Sequence, residues 1–134
     1  MSVNYPSLSK RVQSIFIDLL FMILLMFLAG LILEKINGNS EEGDEWLRAI
    51  LFVSIWGVYE PVAMTLGCTV GNLLTKIRVR QFGNIEKKIN IFQAYLRFII
   101  KFFLGWLSFI TISFNEQKRA IHDLASGTIV LEKN

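Results

Sequence analysis

Two long apolar runs dominate the hydrophobic pattern of this 134-residue chain. The first covers residues 12–33 and contains a single ionisable side chain, Asp18. The second covers residues 46–66 and carries Trp46 and Tyr59, aromatic residues of the kind that anchor helices at membrane interfaces. A helix needs about 20 apolar residues to cross a hydrocarbon core of ~30 Å. Both runs are long enough, so the pattern predicts an all-α integral membrane protein with two full transmembrane helices.

A third apolar run, within residues 91–114, is interrupted by Lys101. The uncharged residues 102–114 rise only ~20 Å as a straight helix, which is short of a full crossing. If the Lys101 ammonium extends to the membrane surface, the apolar run from residue 98 to residue 114 reaches the ~17-residue lower limit for a span. The pattern leaves two interpretations open, a third transmembrane helix or a re-entrant segment.

The loops between these runs differ in charge. Residues 34–45 hold five acidic side chains and one lysine among glycine and asparagine, which is typical of a polar loop. Cytoplasmic loops are enriched in lysine and arginine, so we expect residues 34–45 outside and the N-terminus and residues 67–90 in the cytoplasm. This orientation fits a multi-pass protein of a bacterial-type inner membrane, and the short third run favours a cytoplasmic C-terminus. The 67–90 loop contains five of the 14 basic residues: Lys76, Arg78, Arg80, Lys87 and Lys88.

Short polar segments carry signals of local structure. Residues 76–80 alternate polar and apolar side chains, which predicts a short strand or hairpin, and residues 128–131 are β-prone. We expect these two stretches to pair in a small cytoplasmic sheet. Asn90 and Asn115 each predict the start of a helix, and Gly127 predicts the end of the second one. The chain is thus predicted to be a single membrane domain, residues 1–134, with five parts: 12–33, 46–66, 67–90, 91–114 and 115–134.

Composition places the chain in a bilayer. Hydrophobic residues make up 53% of the sequence and charged residues only 19%, which is too apolar for an ordinary soluble domain of this size. The net charge of +3 is explained by topology, because basic residues cluster in one loop; it does not indicate nucleic-acid binding. A single cysteine and a single histidine exclude an internal disulfide and a zinc site of the usual Cys/His spacing, so we expect no metal and no cofactor.

Asp18 is the most informative side chain, because a carboxylate in the middle of a membrane helix costs roughly 2.5–3.5 kcal/mol on insertion scales. Such a group persists only where it faces protein or water, and it predicts either a transport site or a polar link between helices. Arg11 lies seven positions earlier on nearly the same helix face, with Ser14 between them. We therefore expect Asp18 to contact an arginine, Arg11 first, with Arg97 or Arg119 as the alternatives.

Two further positions invite a functional interpretation. Glu60 lies near the cytoplasmic end of the second run, where it either meets water or pairs with Arg11, and Pro61 after it predicts a kink or the end of the helix. His122 precedes Asp123 in the C-terminal tail, but no serine or cysteine is identifiably placed as a nucleophile. We expect no enzyme activity.

Four motifs follow one another along the chain: Arg11 with Asp18, Gly67-Cys-Thr-Val-Gly-Asn72 running into Lys76-Ile-Arg-Val79, Arg97, and Arg119-x-x-His122-Asp123-x-x-x-Gly127-Thr128-x-Val130. Taken in order, they closely resemble the motifs of the RDD family of small membrane proteins. The family is named for one arginine and two aspartates, which correspond here to Arg11, Asp18 and Asp123. The resemblance covers residues 5–131, and its last motif is the most specific. Asn72 departs from the pattern, since many relatives carry lysine or glutamine there.

The resemblance implies a fold more strongly than an activity, since most members have no assigned activity and some are proposed to move cations against protons. Two functions are compatible with the residues. The first is proton-linked transport of a small cation such as Na⁺, or of a small solute, by a homo-oligomer or with other membrane subunits, with Asp18 titrating against Arg11. The second is an accessory or scaffold subunit of a larger membrane complex. We rank transport first because charges inside a membrane more often mark a pathway.

Overall fold

The computed structural model describes residues 4–37 and 41–133. The centre of the predicted loop 34–45 lies outside these residues, as do both ends of the predicted domain 1–134. The chain is mostly helical, with one small sheet. Its elements in chain order are α1 (Leu8–Asn37), α2 (Glu41–Leu66), α3 (Val70–Leu74), β1 (Ile77–Gln81), α4 (Ile91–Leu104), a 3-10 helix (Gly105–Ser113), α5 (Ile121–Ala125) and β2 (Thr128–Glu132).

Three helical stretches of the described chain are long and apolar enough to cross a membrane: Leu8–Ile36, Glu45–Leu66 and Ile91–Ser113. Large apolar side chains remain exposed along the first two; Phe27, for example, is 63% exposed and Trp46 is 79% exposed. Such faces are stable against lipid, which is as apolar as the side chains themselves. The length and composition of the helices therefore indicate a multi-pass membrane protein, as the hydrophobic pattern predicts.

Both long helices extend beyond the predicted runs. α1 continues to Asn37 and α2 begins at Glu41, so most of the predicted polar loop 34–45 is helical. Glutamate and lysine are good helix formers, and the apolar pattern marks only the part of each helix that lies in lipid. α2 also continues through the buried Pro61 to Leu66, so of the two predicted outcomes at this proline the helix end is wrong. Proline is tolerated in membrane helices where neighbouring groups satisfy the freed backbone.

Strands β1 and β2 pair antiparallel, with Val79 opposite Val130 at the centre of the register. This confirms the predicted pairing of the two β-prone stretches. The alternative hairpin does not extend into a second local strand, because the chain after β1 closes a turn through a single Gln81–Asn84 bridge. One face of the sheet packs on the ends of α2 and α4 in a buried core of Met64, Ile77, Val79, Ile89, Ala94 and Val130.

The sheet brings the beginning of α1 beside the C-terminal strand. The Glu132 backbone N–H donates to the Asn4 carbonyl at 2.9 Å. The Glu132 carboxylate accepts a hydrogen bond from Lys10 Nζ at 2.8 Å. The start of α1, the end of α2 and both strands therefore lie at one end of the molecule. This region, residues 4–11 with β1 and β2, is called the sheet end below.

α4 begins as predicted. The Asn90 side chain accepts from the Gln93 N–H at 2.8 Å, and the Gln93 side chain accepts from the Asn90 N–H at 3.2 Å. This reciprocal capping box satisfies two N–H groups that a helix start leaves unpaired. The α-helix ends at Gly105, whose φ of +50° suits glycine, and the chain continues as a 3-10 helix to Ser113.

The predicted helix start at Asn115 is wrong. The short helix α5 begins at Ile121, where the Asp123 carboxylate accepts from the Ala120 N–H at 3.0 Å. A carboxylate in the first turn satisfies the unpaired helix donors from within, so the Asn115 side chain is not required for that role. Gly127, with φ of +63°, follows the end of α5 as predicted.

The two ends of the stretch that contains α4 and the 3-10 helix both contact the C-terminal part of the chain. At its start, the Gln93 amide donates to the Ser126 carbonyl at 3.1 Å. Near its end, the Thr111 hydroxyl donates to the Arg119 carbonyl at 2.9 Å. Arg119 Nε in turn donates to the Thr128 carbonyl in β2 at 3.0 Å. The path from Thr111 to the sheet thus consists of one arginine and two hydrogen bonds. A full membrane crossing would separate the two ends of this stretch by ~30 Å.

Candidate functional site

A buried ionic cluster surrounds Asp123, whose carboxylate lies in α5 with no solvent exposure. Arg11 Nη1, from the first turn of α1, donates to Asp123 Oδ2 at 2.6 Å. Arg97 Nη1, from α4, donates to Asp123 Oδ1 and to the Thr128 hydroxyl at the start of β2. A second amino group of Arg11 reaches the Lys118 carbonyl. One carboxylate therefore connects the first helix, α4 and the C-terminal segment.

Arg119 belongs to the same cluster but contacts the backbone. Its Nη2 donates to the Asp123 carbonyl at 3.2 Å and its Nε to the Thr128 carbonyl at 3.0 Å. Its guanidinium lies 3.9 Å from the centre of the Phe82 ring, a favourable cation–π contact. Three buried guanidinium groups thus contact Asp123. Those of Arg11 and Arg97 bind its carboxylate, and that of Arg119 binds its backbone carbonyl.

The charges in the cluster decide the protonation of Asp123 and His122. Burial alone raises the pKa of Asp123, but the positive charges around it, that of Arg97 first, hold it well below its usual range. Burial lowers the pKa of His122 well below 6.5. The negative charge of Asp123 acts in the opposite direction, and the positive charges of Arg97, Lys101 and Arg11 lower the pKa further. His122 Nε2 lies 3.5 Å from Asp123 Oδ1. We therefore assign a carboxylate beside a neutral imidazole at pH 7.

Asp18 lies in a separate network made of hydroxyl and backbone donors. Its Oδ1 accepts from the Tyr59 hydroxyl at 3.0 Å and from the Gly71 N–H at 2.8 Å. Its Oδ2 accepts from the Thr69 hydroxyl at 2.6 Å. The Tyr59 hydroxyl also accepts from the Val70 N–H at 3.1 Å. Asp18 therefore joins α1 to α2 and to the start of α3.

The predicted contact between Asp18 and an arginine is wrong. Arg11 and Arg97 both bind Asp123 instead, and Arg119 binds the backbone of the same segment. The reason is distance: seven helical residues separate Arg11 from Asp18 by ~10 Å along the axis, whereas the Asp123 carboxylate lies within hydrogen-bond reach. Arg11 is therefore the counter-charge of Asp123 and not of Asp18.

Ser14 belongs to the Asp18 network, and it does not bridge Arg11 to Asp18 as its position suggests. Its hydroxyl donates to Asn72 Oδ1 at 2.7 Å. The Asn72 backbone N–H donates to the Thr69 hydroxyl, which in turn donates to Asp18. Asn72, the position at which the sequence departs from the family pattern, is thus part of a buried polar link between the first helix and α3.

Gly71 makes this close approach possible. A Cβ at Gly71 would lie 2.0 Å from the Ser14 carbonyl oxygen and 2.8 Å from the Asp18 carboxyl carbon. No side chain fits there, so α3 is seated directly on the backbone of α1. The short distance also allows the Gly71 N–H to reach the Asp18 carboxylate.

Glu60 forms an ion pair with Lys101, and not with Arg11 or with water alone. The two side chains are 19% and 18% exposed, and both lie within candidate membrane-spanning stretches. Lys101 is also attracted by the negative charges of Asp123 and Asp18. Lys101 therefore pairs with a side chain of a neighbouring helix, and its ammonium does not need to extend to the membrane surface.

Sequence reasoning missed four of the residues that complete these networks: Tyr59, Thr69, Gly71 and Lys101. Tyr59 was assigned only an interfacial role. The available signal was a single charge, Lys101, between residues 98 and 114 and a single carboxylate, Glu60, between residues 46 and 66. Opposite charges in two apolar segments favour a pair, because each is costly alone in lipid. Within the described ranges, no three His, Cys, Asp or Glu side chains are grouped to hold a metal ion.

The family model described as "RDD family" matches residues 5–127, which include Arg11, Asp18 and Asp123. The chain belongs to the RDD family. No curated protein and no solved structure matches the sequence. In this RDD protein the arginine and the second aspartate form an ion pair, while the first aspartate binds hydroxyl and backbone donors of α2 and α3. The three residues for which the family is named therefore occupy two networks, and α1 carries one member of each.

Proposed function

We propose that this RDD protein is a component of a proton-linked transporter for a small cation, such as Na⁺, or a small solute in a bacterial-type inner membrane. The observation that carries the proposal is the Glu60–Lys101 pair, which lies within two apolar stretches long enough to span the membrane. Tyr59, adjacent in sequence, connects it to Asp18. Ionisable groups within membrane-spanning stretches are costly and are typical of ion pathways and proton relays.

Competition between a proton and a small cation for the same carboxylate oxygens would couple the movement of the two ions. Ionised Glu60 holds Lys101, and protonated Glu60 releases it toward Asp18 and Asp123, which also attract it. A small cation that reaches the Glu60 or Asp18 carboxylate competes with Lys101 and with protons for the same oxygen atoms. A cycle of binding and release at these groups is the minimum chemistry that a proton-linked carrier requires.

Transport by this chain requires an assembly. Two long helices and a broken third stretch are too few to surround a pathway, and α1 and α2 keep large apolar faces exposed. In the proposed assembly a homo-oligomer or other membrane subunits cover part of these faces, and lipid covers the rest. The networks around Asp18 and Asp123 give each subunit a fixed shape for such packing.

We infer that the third apolar stretch is re-entrant and that the C-terminus lies on the same side as the N-terminus. The support is the short path from Thr111 through Arg119 to β2, which pairs with β1. Gly105, with its positive φ, interrupts the α-helix in the middle of this stretch. The basic loop 67–90 lies at the same end, and the positive-inside rule then assigns that end to the cytoplasm.

A scaffold function is the second candidate, and the geometry of Asp18 favours it. Three donors already occupy the Asp18 carboxylate, and each comes from a different position in α2, α3 or the segment between them. An acceptor held by three donors stabilises a helix arrangement without exchanging an ion. In this case the protein holds a partner subunit in place and moves nothing by itself.

Flux measurements on the purified full chain in liposomes distinguish the two candidates. An internal pH dye reports proton movement when a gradient of Na⁺, K⁺ or Li⁺ is imposed across the membrane. Wild-type protein should change the internal pH, and Glu60→Gln should abolish the change because the amide cannot exchange a proton. Glu86→Gln, which removes an exposed acid from the 67–90 loop, is the matched control and should transport normally.

The outcome for Asp18→Asn separates the roles further. In a carrier this variant inserts and assembles but loses proton-coupled flux. In a scaffold it loses assembly, and the wild-type chain shows no flux with any of the three cations. Absence of wild-type flux from folded, oligomeric protein would refute the self-sufficient transporter.

A further inference from the structure

A basic pocket opens at the sheet end, where the chain leaves α2. Its volume is about 230 Å³. Four cationic side chains line it, and none of its lining residues is acidic. Cys68 and Leu73 complete the part of the wall nearest α2 and α3. The cations are Lys76, Arg78, Arg80 and Lys133.

These four charges have no counter-charge within the described part of the chain. The ion pairs there involve other cations: Lys10, Arg11, Arg97 and Lys101. Arg78 Nε is buried and makes no hydrogen bond to the described residues. Burial, followed by the nearby charge of Arg78, lowers the pKa of Arg80. A compact group of like charges with an unsatisfied donor is stabilised by an anion.

The position of the pocket identifies the kind of anion. Gly67 and Cys68 line it and directly follow Leu66, the last residue of a candidate membrane-spanning helix. Leu66 is 72% exposed, and Leu73 and Leu74 on α3 are 58% and 65% exposed. The cations therefore lie at the depth of lipid head groups, with exposed leucines beside them. An anion that carries apolar chains matches both features.

We propose that this pocket binds the phosphate of an anionic phospholipid, with Arg78 as the principal ligand. A guanidinium donates two parallel hydrogen bonds to phosphate oxygens, which an ammonium cannot do. Lys76, Arg80 and Lys133 add attraction, at about fivefold in affinity for each basic residue at a membrane surface. The acyl chains lie along the exposed leucines of α3. The site does not depend on whether the protein transports ions.

Native mass spectrometry of the full chain in neutral detergent tests the proposal. Phosphatidylglycerol and phosphatidylcholine with identical acyl chains are titrated against the protein, and bound lipid is counted. Phosphatidylglycerol should bind more tightly, and Arg78→Gln should reduce its affinity at least fivefold. Lys87→Gln removes one exposed charge from the same loop but outside the pocket, and it should bind as the wild type does.

Two controls keep the test decisive. If Arg78→Gln fails to fold, Lys133→Gln replaces it, because that side chain is exposed and its loss should still weaken binding several-fold. Inorganic phosphate and glycerol phosphate are added as competitors without acyl chains. Equal binding of the two lipids, an equal effect of Lys87→Gln, or displacement of lipid by soluble phosphate at the same concentration would each overturn the proposal.

Discussion

Replacing Gly71 by alanine tests how closely α3 is seated on α1. The new Cβ would lie 2.0 Å from the Ser14 carbonyl oxygen. Non-bonded carbon contacts are normally ~3.5–4.0 Å, so α3 must move away from α1 by roughly 1.5 Å. A movement of this size breaks the hydrogen bond from the Gly71 N–H to Asp18, which is 2.8 Å long in the native protein.

The expected cost has two parts. Overpacking of a close contact costs ~1–3 kcal/mol, and the loss of a hydrogen bond to a charged group costs ~1.5–3 kcal/mol. Gly71→Ala should therefore lower the free energy of unfolding by about 2.5–6 kcal/mol. Gly57→Ala is the matched control, because a Cβ there meets nothing within 4 Å. Alanine within α2 should be neutral or stabilise the helix by up to ~1 kcal/mol.

Reversible unfolding of detergent-solubilised protein by titration with a denaturing detergent, followed by circular dichroism, measures both variants. A loss in Gly71→Ala of less than about 1 kcal/mol relative to Gly57→Ala would show that α3 does not rest on the α1 backbone, since the smallest expected cost is larger. The hydrogen bonds assigned to Asp18 would then need to be reassigned.

Three further predictions concern the Asp123 cluster and the topology. Arg11→Gln and Asp123→Asn should each lower the free energy of unfolding by ~3–5 kcal/mol, because each leaves a buried charge without its partner. The double variant should lose less than the sum of the two single losses, and additive losses in the same unfolding assay would contradict the ion pair. Because burial lowers the pKa of His122, the unfolded chain binds a proton that the folded chain does not. The free energy of unfolding should therefore fall by up to ~1.4 kcal/mol per pH unit as the pH drops below about 6.5. His122→Gln should flatten this slope between about pH 6.5 and 5, and an unchanged slope would assign the pH dependence to another group. Single cysteines at Gly83 and Lys133 in a cysteine-free protein should react with a membrane-impermeant maleimide from the same, cytoplasmic side, and labelling from opposite sides would exclude the re-entrant stretch.

The features that were predictable from the sequence depend on short-range patterns. Apolar runs determine where helices meet lipid, and the Asn90 capping box is encoded within four residues. The pairing of β1 with β2 was also predictable, because both stretches are β-prone and the charge pattern places them on one side of the membrane. Gly127 marks the end of α5 because a positive φ there favours glycine.

The partners of the charged groups were not predictable in the same way. Asp18, Arg11 and Glu60 were recognised as important, but each binds a different group from the one expected. Glu60 and Lys101 are 41 positions apart, and no local rule selects that pairing over others. A carboxylate accepts whichever donors the packing of helices brings within reach, so its partner depends on the whole arrangement of the chain. The helix start at Ile121 was missed for the same reason, since Asp123 serves both as a cap and as the centre of the cluster.

The Arg11–Asp123 pair joins residues that are 112 positions apart, and this separation sets an order of events during synthesis. Arg11 leaves the ribosome and enters the membrane surface with α1 long before its partner carboxylate has been made. Until α5 emerges, the Asp123 carboxylate is not available to Arg11 or to Arg97. The Asp123 cluster can therefore form only after the membrane helices have been synthesised, when the C-terminal segment reaches them. A nascent chain stopped before Asp123 would carry the helices and the residues of the Asp18 network, but it would lack the carboxylate that joins α1 to α4.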